Sequence, residues 1–115
     1  MKIITIRNKE NNTLISDNIG LANTMLTRFI GLMNKKTLED NEGILLTPCN
    51  SIHMMFMKFP LDIVFLDRKN KVIKIIENLK PWRVSPVIFM AQSVLELPSG
   101  TISKTGLKIN DTLDF

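Results

Sequence analysis

Polar and apolar residues alternate through Lys2–Arg7, and the three isoleucines there (Ile3, Ile4 and Ile6) favour a strand. Asn8–Asn12 is a polar turn cluster, and a second strand is predicted from Thr13 to about Ile19. The period then changes. Met25, Leu26, Phe29, Ile30 and Met33 recur at helical spacing, with Thr24, Thr27 and Arg28 on or near the polar side. Asn23 is the predicted N-cap, because its side chain can accept from the free amides of a first turn. The spacing predicts a stop at Gly31 or Asn34, with the apolar stripe packed on a sheet.

Lys35–Glu42 reads as a charged loop that can hold one helical turn at Thr37–Asp40. Gly43–Thr47 is a short apolar strand ended by Pro48. Ile52–Met57 is apolar at both alternating sets of positions, which predicts a strand covered on both sides. Pro60 breaks it, since proline cannot donate to a central ladder. Leu61–Leu66 and Lys71–Glu77, joined by the turn residues Asp67-Arg68-Lys69-Asn70, predict a hairpin.

Asn78–Met90 has no clean period and carries Pro81, Pro86 and the single tryptophan, Trp82. So long a loop is usually functional or draped over a core. Val94–Leu97 returns to strand, Pro98-Ser99-Gly100 turns the chain, and Thr101–Thr105 predicts a short helical turn. Asn110-Asp111 tolerates positive φ ahead of a short closing strand. The tally is about eight short strands with one N-terminal helix. It predicts a mainly-β sandwich or distorted barrel with that helix packed across one opening.

Composition narrows this further. A chain of 115 residues, 44% hydrophobic and 23% charged, reads as one globular domain over residues 1–115 with a core that needs no staples. The single cysteine, Cys49, excludes an internal disulfide and suits a reducing compartment. Arg7 interrupts the N-terminus before any apolar leader can form, and no run nears the ~20 apolar residues of a membrane span. The expectation is a cytoplasmic protein with no membrane partner. The net charge of +4 could favour nucleic acid, but the cations are scattered. The densest groups, Lys35-Lys36 and Lys69 with Lys71, lack aromatic neighbours in sequence. A solvated basic surface is the preferred reading over nucleic-acid binding.

His53 is the only histidine, and it sits in an almost wholly apolar segment. It reads as a satisfied core residue or as a group poised by burial near neutral pH. Cys49 precedes it by four residues, roughly 13 Å along a continuous strand, so a Cys–His dyad would need a bend between them. One His and one Cys do not make a zinc pattern, so no metal is expected. Asp62 shares parity with Val64 and Leu66. A register slip of one residue decides whether it shares a face with His53, as an acid–base pair would require. The simpler role is to accept backbone hydrogen bonds from the loop after Pro60. Arg28 on the helix flank could join His53 and Asp62 around one pocket, with Trp82 as its apolar wall or else as a plug in the core. There is no Gly-rich phosphate loop, GxSxG elbow or HExxH helix, and no cofactor is expected.

Four blocks of the sequence are shared with a known family: Arg28-Phe29-Ile30-Gly31-Leu32-Met33, Ser51–Met57, Pro60–Asp67 and Val94–Gly100. From about Leu21 to Phe115 the chain resembles the prokaryotic family called domain of unknown function 192. The usual Gly-Asp near the end of that family is Asn110-Asp111 here, and Asn can make the same left-handed turn. The resemblance implies a mainly-β, jelly-roll-like domain and no particular activity. Its recurrent polar residues fall on Arg28, His53, Asp62 and Glu96. The leading expectation is a small-ligand- or peptide-binding domain that uses these four residues and Trp82. The alternatives are a hydrolase or isomerase using His53 with Asp62, and a weak nucleic-acid binder.

Overall fold

The structure is a computed structural model that describes residues 1–33 and 35–115. β1 (Lys2–Asn8) and β2 (Leu14–Ala22) form an antiparallel hairpin, and α1 (Met25–Ile30) follows. β3 (Glu42–Leu46) returns parallel to β2, which shifts the chain to the other half of the sheet. β4 (Leu61–Leu66) and β5 (Val72–Leu79) make the predicted hairpin. β6 (Ser93–Pro98) then inserts between β4 and β3, α2 (Thr101–Thr105) follows, and β7 (Leu113–Asp114) pairs with β1.

The seven strands lie in one sheet of order β5-β4-β6-β3-β2-β1-β7. Its two edges meet at one end, where Lys71 bridges Thr112 and the Val72 amide donates to the Asp111 carbonyl at 2.8 Å. Val72 from one edge and Leu113 from the other share a core cluster with Ile6, Leu95 and Leu97, so the sheet curls around that cluster. α2 plugs the curl with Ile102, and Leu107 just beyond it joins the same core. This is a curled half-barrel, not the two facing sheets of a sandwich.

Alternation does the sorting. On β4, Val64 and Leu66 point into the curl, while Leu61, Ile63 and Phe65 join a second cluster on the outer face. All six β4 residues are buried, so the strand is covered on both sides. Ile52, Met54 and Met57 from the irregular chain between β3 and β4 join the outer cluster.

Several expectations need correction. Ile52–Met57 forms no strand: His53 makes one isolated bridge to Val84, and the segment is held by the Trp82 loop instead. Met54 N donates to Arg83 O at 2.7 Å, and Ser85 N donates to Ile52 O at 2.9 Å. That removes the eighth strand. The N-cap of α1 is Thr24, one residue past Asn23, in a capping box with Thr27. Gly31 ends the helix with φ 51°, and the alternative stop at Asn34 lies outside the described residues. No residue of α1 is buried. Met25, Leu26 and Phe29 are 81%, 66% and 65% exposed, so most of the predicted stripe faces outward, Met33 alone packs on the outer cluster, and α2 fills the opening assigned to α1. Thr37–Asp40 carries no helical turn.

Among the described residues, no helix is long and apolar enough to cross a membrane.

Candidate functional site

Helix α1 and the chain after β3 roof the outer face of the sheet and leave a cavity of about 70 Å³ beneath them. Its polar lining is Arg28, Cys49, Ser51, His53 and Glu96, set among Leu32, Leu46, Ile52 and Met57. Each polar residue arrives by a different route. Arg28 is fixed by its helix: Nε donates to Thr24 O at 3.2 Å, and Nη1 reaches Pro48 O at 2.9 Å. That second bond ties α1 to the segment carrying Cys49. The Cys49 thiol donates to Ser51 O at 3.0 Å, and burial pushes its pKa up, so it rests as a thiol and not as the thiolate a nucleophile needs.

Glu96 is the unusual member. It sits on β6 opposite Ile44 of β3 and Ile63 of β4, in the middle of the sheet. Strand alternation aims it at the outer face, away from Leu95 and Leu97, and it is 5% exposed. Among the described residues its carboxyl makes no hydrogen bond. Burial pushes its pKa up to about 8, so near pH 7 it is mostly a neutral acid, able both to donate and to accept. Gly31 closes the roof above it: a Cβ built there would stand 3.8 Å from Glu96 Oε1.

The other candidates are divided. His53 lines the cavity but is exposed, with its ring 6.3 Å from that of Phe29. It is not buried in the core. Asp62 lies across the sheet from it, inside the curl. Its Oδ1 accepts from Asn78 N at 2.9 Å, and its Oδ2 accepts from Gly100 N and Ile102 N at 3.0 Å each. Asp62 thus takes the backbone-accepting role, with donors from β5 and α2 in place of the loop after Pro60. It pairs with no histidine, which removes the geometric basis of the His53/Asp62 acid–base device. Trp82 neither lines the cavity nor plugs the core. It is 59% exposed and packs against Phe56, with ring centroids 4.9 Å apart and the planes tilted by 60°.

Sequence reasoning reached Glu96 only through the family resemblance and missed Gly31 and Ser51. A glutamate inside Val-Leu-Glu-Leu reads as the wet side of a strand, and only the roof over the outer face changes that. Cys49, His53 and Glu96 share the cavity, yet among the described residues no three His, Cys, Asp or Glu side chains gather as a metal-ligand set.

Comparisons with known proteins bear on fold and family. The family model DUF192, described as Uncharacterized ACR, matches residues 5–115. A UPF0127 protein of Thermococcus sibiricus is 30% identical over 112 residues, covering 94% of this chain and 72% of its own. Another, from Pyrococcus horikoshii, is 34% identical over 98 residues, covering 83% of this chain and 84% of its own. A solved structure of a protein of unknown function from Novosphingobium aromaticivorans superposes with a TM-score of 0.83 at 25% identity, covering 98% of this chain and 84% of its own. A putative transcription regulator from Sinorhizobium meliloti shares the fold, with a TM-score of 0.76 at 22% identity over 96% of this chain and 89% of its own.

Proposed function

The chain belongs to the DUF192 family, and we propose that its domain binds a small molecule or peptide through the cavity between α1 and Glu96. The carrying observation is Glu96 itself. Glu96 lines the cavity and makes no hydrogen bond to another described residue, so its carboxyl is a group that a ligand entering the cavity can engage.

The donor set selects the ligand's head. A neutral Glu96 donates one hydrogen bond, and the guanidinium of Arg28 supplies charge and further N–H groups. A carboxylate can accept from both, with no second anion to repel it. The cavity, about 70 Å³, admits such a head and little more. The ligand's body therefore lies outside, where Phe29, Phe56 and Trp82 expose 65%, 63% and 59% of their surface.

Backbone strain supports the same edge. Phe56 and Trp82 hold φ at 64° and 68°, a region that bulky residues rarely occupy, and such strain gathers at functional sites. The reading is therefore an amphipathic carboxylate, free or on a peptide, with its apolar body on the aromatic rim.

Saturation-transfer NMR with 3-phenylpropionate and its uncharged amide tests this. The acid binds and the amide binds less well, and Arg28→Ala removes the preference. Affinity for the acid falls as pH rises through about 8, where Glu96 ionises, and Glu96→Gln flattens that fall. Binding of neither compound, or equal binding by the Arg28→Ala variant, would reject the reading.

A further inference from the structure

The curl of the sheet also assembles a second, larger concavity of about 750 Å³ that shares no lining residue with the first. Lys9, Arg68, Lys69 and Lys71 line it together with Phe89 and Met90. These come from three separate parts of the chain. Lys9 follows β1, and its amide donates to Thr112 O at 2.8 Å. The β4–β5 turn brings the other cations, fastened where Leu113 N donates to Asn70 O at 2.9 Å. Gln92 N donates to Leu66 O at 2.7 Å and so sets the end of the loop that carries Phe89 beside that turn.

The charge balance here is one-sided. Among the described residues Asp67 is the only carboxylate lining the groove, and its Oδ1 accepts the Lys69 and Lys71 amides at 2.8 and 3.0 Å, holding the turn. Lys35–Glu42 is the only ion pair among the described residues, so the four groove cations are unpaired. Phe89 is 88% exposed, more than any other large apolar residue among the described ones, and Met90 is 77% exposed.

Cations alone would take any anion, and an exposed ring alone would take any apolar surface. Their adjacency is more selective. We propose that this groove binds a nucleotide, with its base on Phe89 and its phosphate among Lys9, Arg68, Lys69 and Lys71. A base offers a π-face whatever its identity, and stacking on an aromatic side chain is sequence-tolerant. Arg68 can contribute through both phosphate and ring. Gln92 and Thr112 also line the groove and supply an amide and a hydroxyl for ribose or base edges. The concavity falls in the size range of small-molecule sites. The same chemistry is met in a free nucleotide and in one unit of a single strand.

Fluorescence polarisation with a labelled oligouridylate, in low and raised salt, tests the proposal. AMP, unlabelled oligouridylate, inorganic phosphate and polyglutamate serve as competitors. The wild type binds the strand with an affinity that falls with salt. Phe89→Ala, verified as folded by circular dichroism, binds roughly tenfold more weakly at an unchanged salt slope, and Phe89→Trp restores binding. Arg68→Ala and Lys69→Ala reduce the slope. Displacement by AMP but not by phosphate assigns the free nucleotide, and displacement by unlabelled strand alone assigns the strand. Absence of binding, an unchanged affinity in Phe89→Ala, or displacement by polyglutamate as effective as by unlabelled strand would overturn the proposal.

Discussion

Asp62 Oδ2 accepts the backbone amide of Ile102 at 3.0 Å, which fastens β4 in mid-sheet to the helix that plugs the curl. The same oxygen accepts from Gly100, and Oδ1 accepts from Asn78, so one carboxylate locks three segments together. Asp62→Ala would leave one buried and two part-buried amides without acceptors and is expected to cost roughly 3 kcal/mol of unfolding free energy. Asp62→Asn keeps one acceptor oxygen and should cost less. Urea denaturation followed by far-UV circular dichroism checks both. A loss below ~1 kcal/mol for Asp62→Ala would contradict the structural role.

Glu96 makes stability depend on pH in a defined direction. Its folded pKa, about 8, lies above the ordinary carboxyl value of 4.5. Between those values the native state keeps a proton that the unfolded chain has lost, so stability falls as pH rises. The penalty is absent below the unfolded pKa and complete above the folded one. Thermal melts from pH 5 to 9 should show a declining Tm in the wild type and a flatter profile in Glu96→Gln. A wild-type profile that rises across this window would contradict the burial of the carboxyl.

Gly43 answers to the same strand. A Cβ there would meet the Glu96 carbonyl oxygen at 2.6 Å and Ile19 Cδ1 at 2.7 Å. The first is a backbone atom in the sheet and cannot swing aside. Gly43→Ala should therefore destabilise by about 1–3 kcal/mol, although alanine suits a strand better than glycine does. Chemical denaturation gives the value, and a neutral result would mean that β3 and β6 can separate.

The hairpin β4–β5, the turn at Asp67–Asn70 and the helical turn at Thr101–Thr105 were legible because each depends on neighbours in sequence. Asn70 and Asn110 take positive φ, as their type allows. What failed depended on what covers a face. The apolar run Ile52–Met57 reads as a strand, yet Met54 and Met57 are buried while His53, Met55 and Phe56 are exposed, a pattern that no two-residue period produces. The helical spacing of α1 was real, but Met25, Leu26 and Phe29 stay exposed and only Met33, past the helix, packs on the outer cluster. Glu96 and Asp62 look alike in sequence, each an acid inside an apolar strand. Only the register of β4 against β6 and the contents of each face make one a structural clamp and the other an acid with no hydrogen bond to a described residue. Lys69 and Lys71 had no aromatic neighbour in sequence, and the curl supplied Phe89.

The Cys49 thiol tests how closed the roof is. Burial raises its pKa, and its Sγ donates to Ser51 O, so alkylation by iodoacetamide at pH 8 should run at least about tenfold slower than in the urea-unfolded chain. Arg28→Ala, which cuts the tie from α1 to Pro48, should accelerate it. A folded-state rate equal to the unfolded one would mean that the roof does not exclude solvent.

Trp82 reports on the rim because it is the chain's only tryptophan. At 59% exposure, its emission in the folded protein should be close to that of the unfolded chain and be quenched readily by acrylamide. Its φ of 68° carries strain that a glycine would not, while its tilted contact with Phe56 adds part of an aromatic pair's attraction. These terms oppose one another and are both near 1 kcal/mol, so Trp82→Gly should change stability little. A blue-shifted, quencher-resistant emission would show the indole covered, and the rim would then have no surface to offer a ligand. If the emission is exposed as described, adding 3-phenylpropionate should shift it, whereas the same addition to Arg28→Ala should not. That contrast links the rim to the cavity, because Arg28 lines the cavity whereas Trp82 contacts Phe56, the chain neighbour of the lining residue Met57.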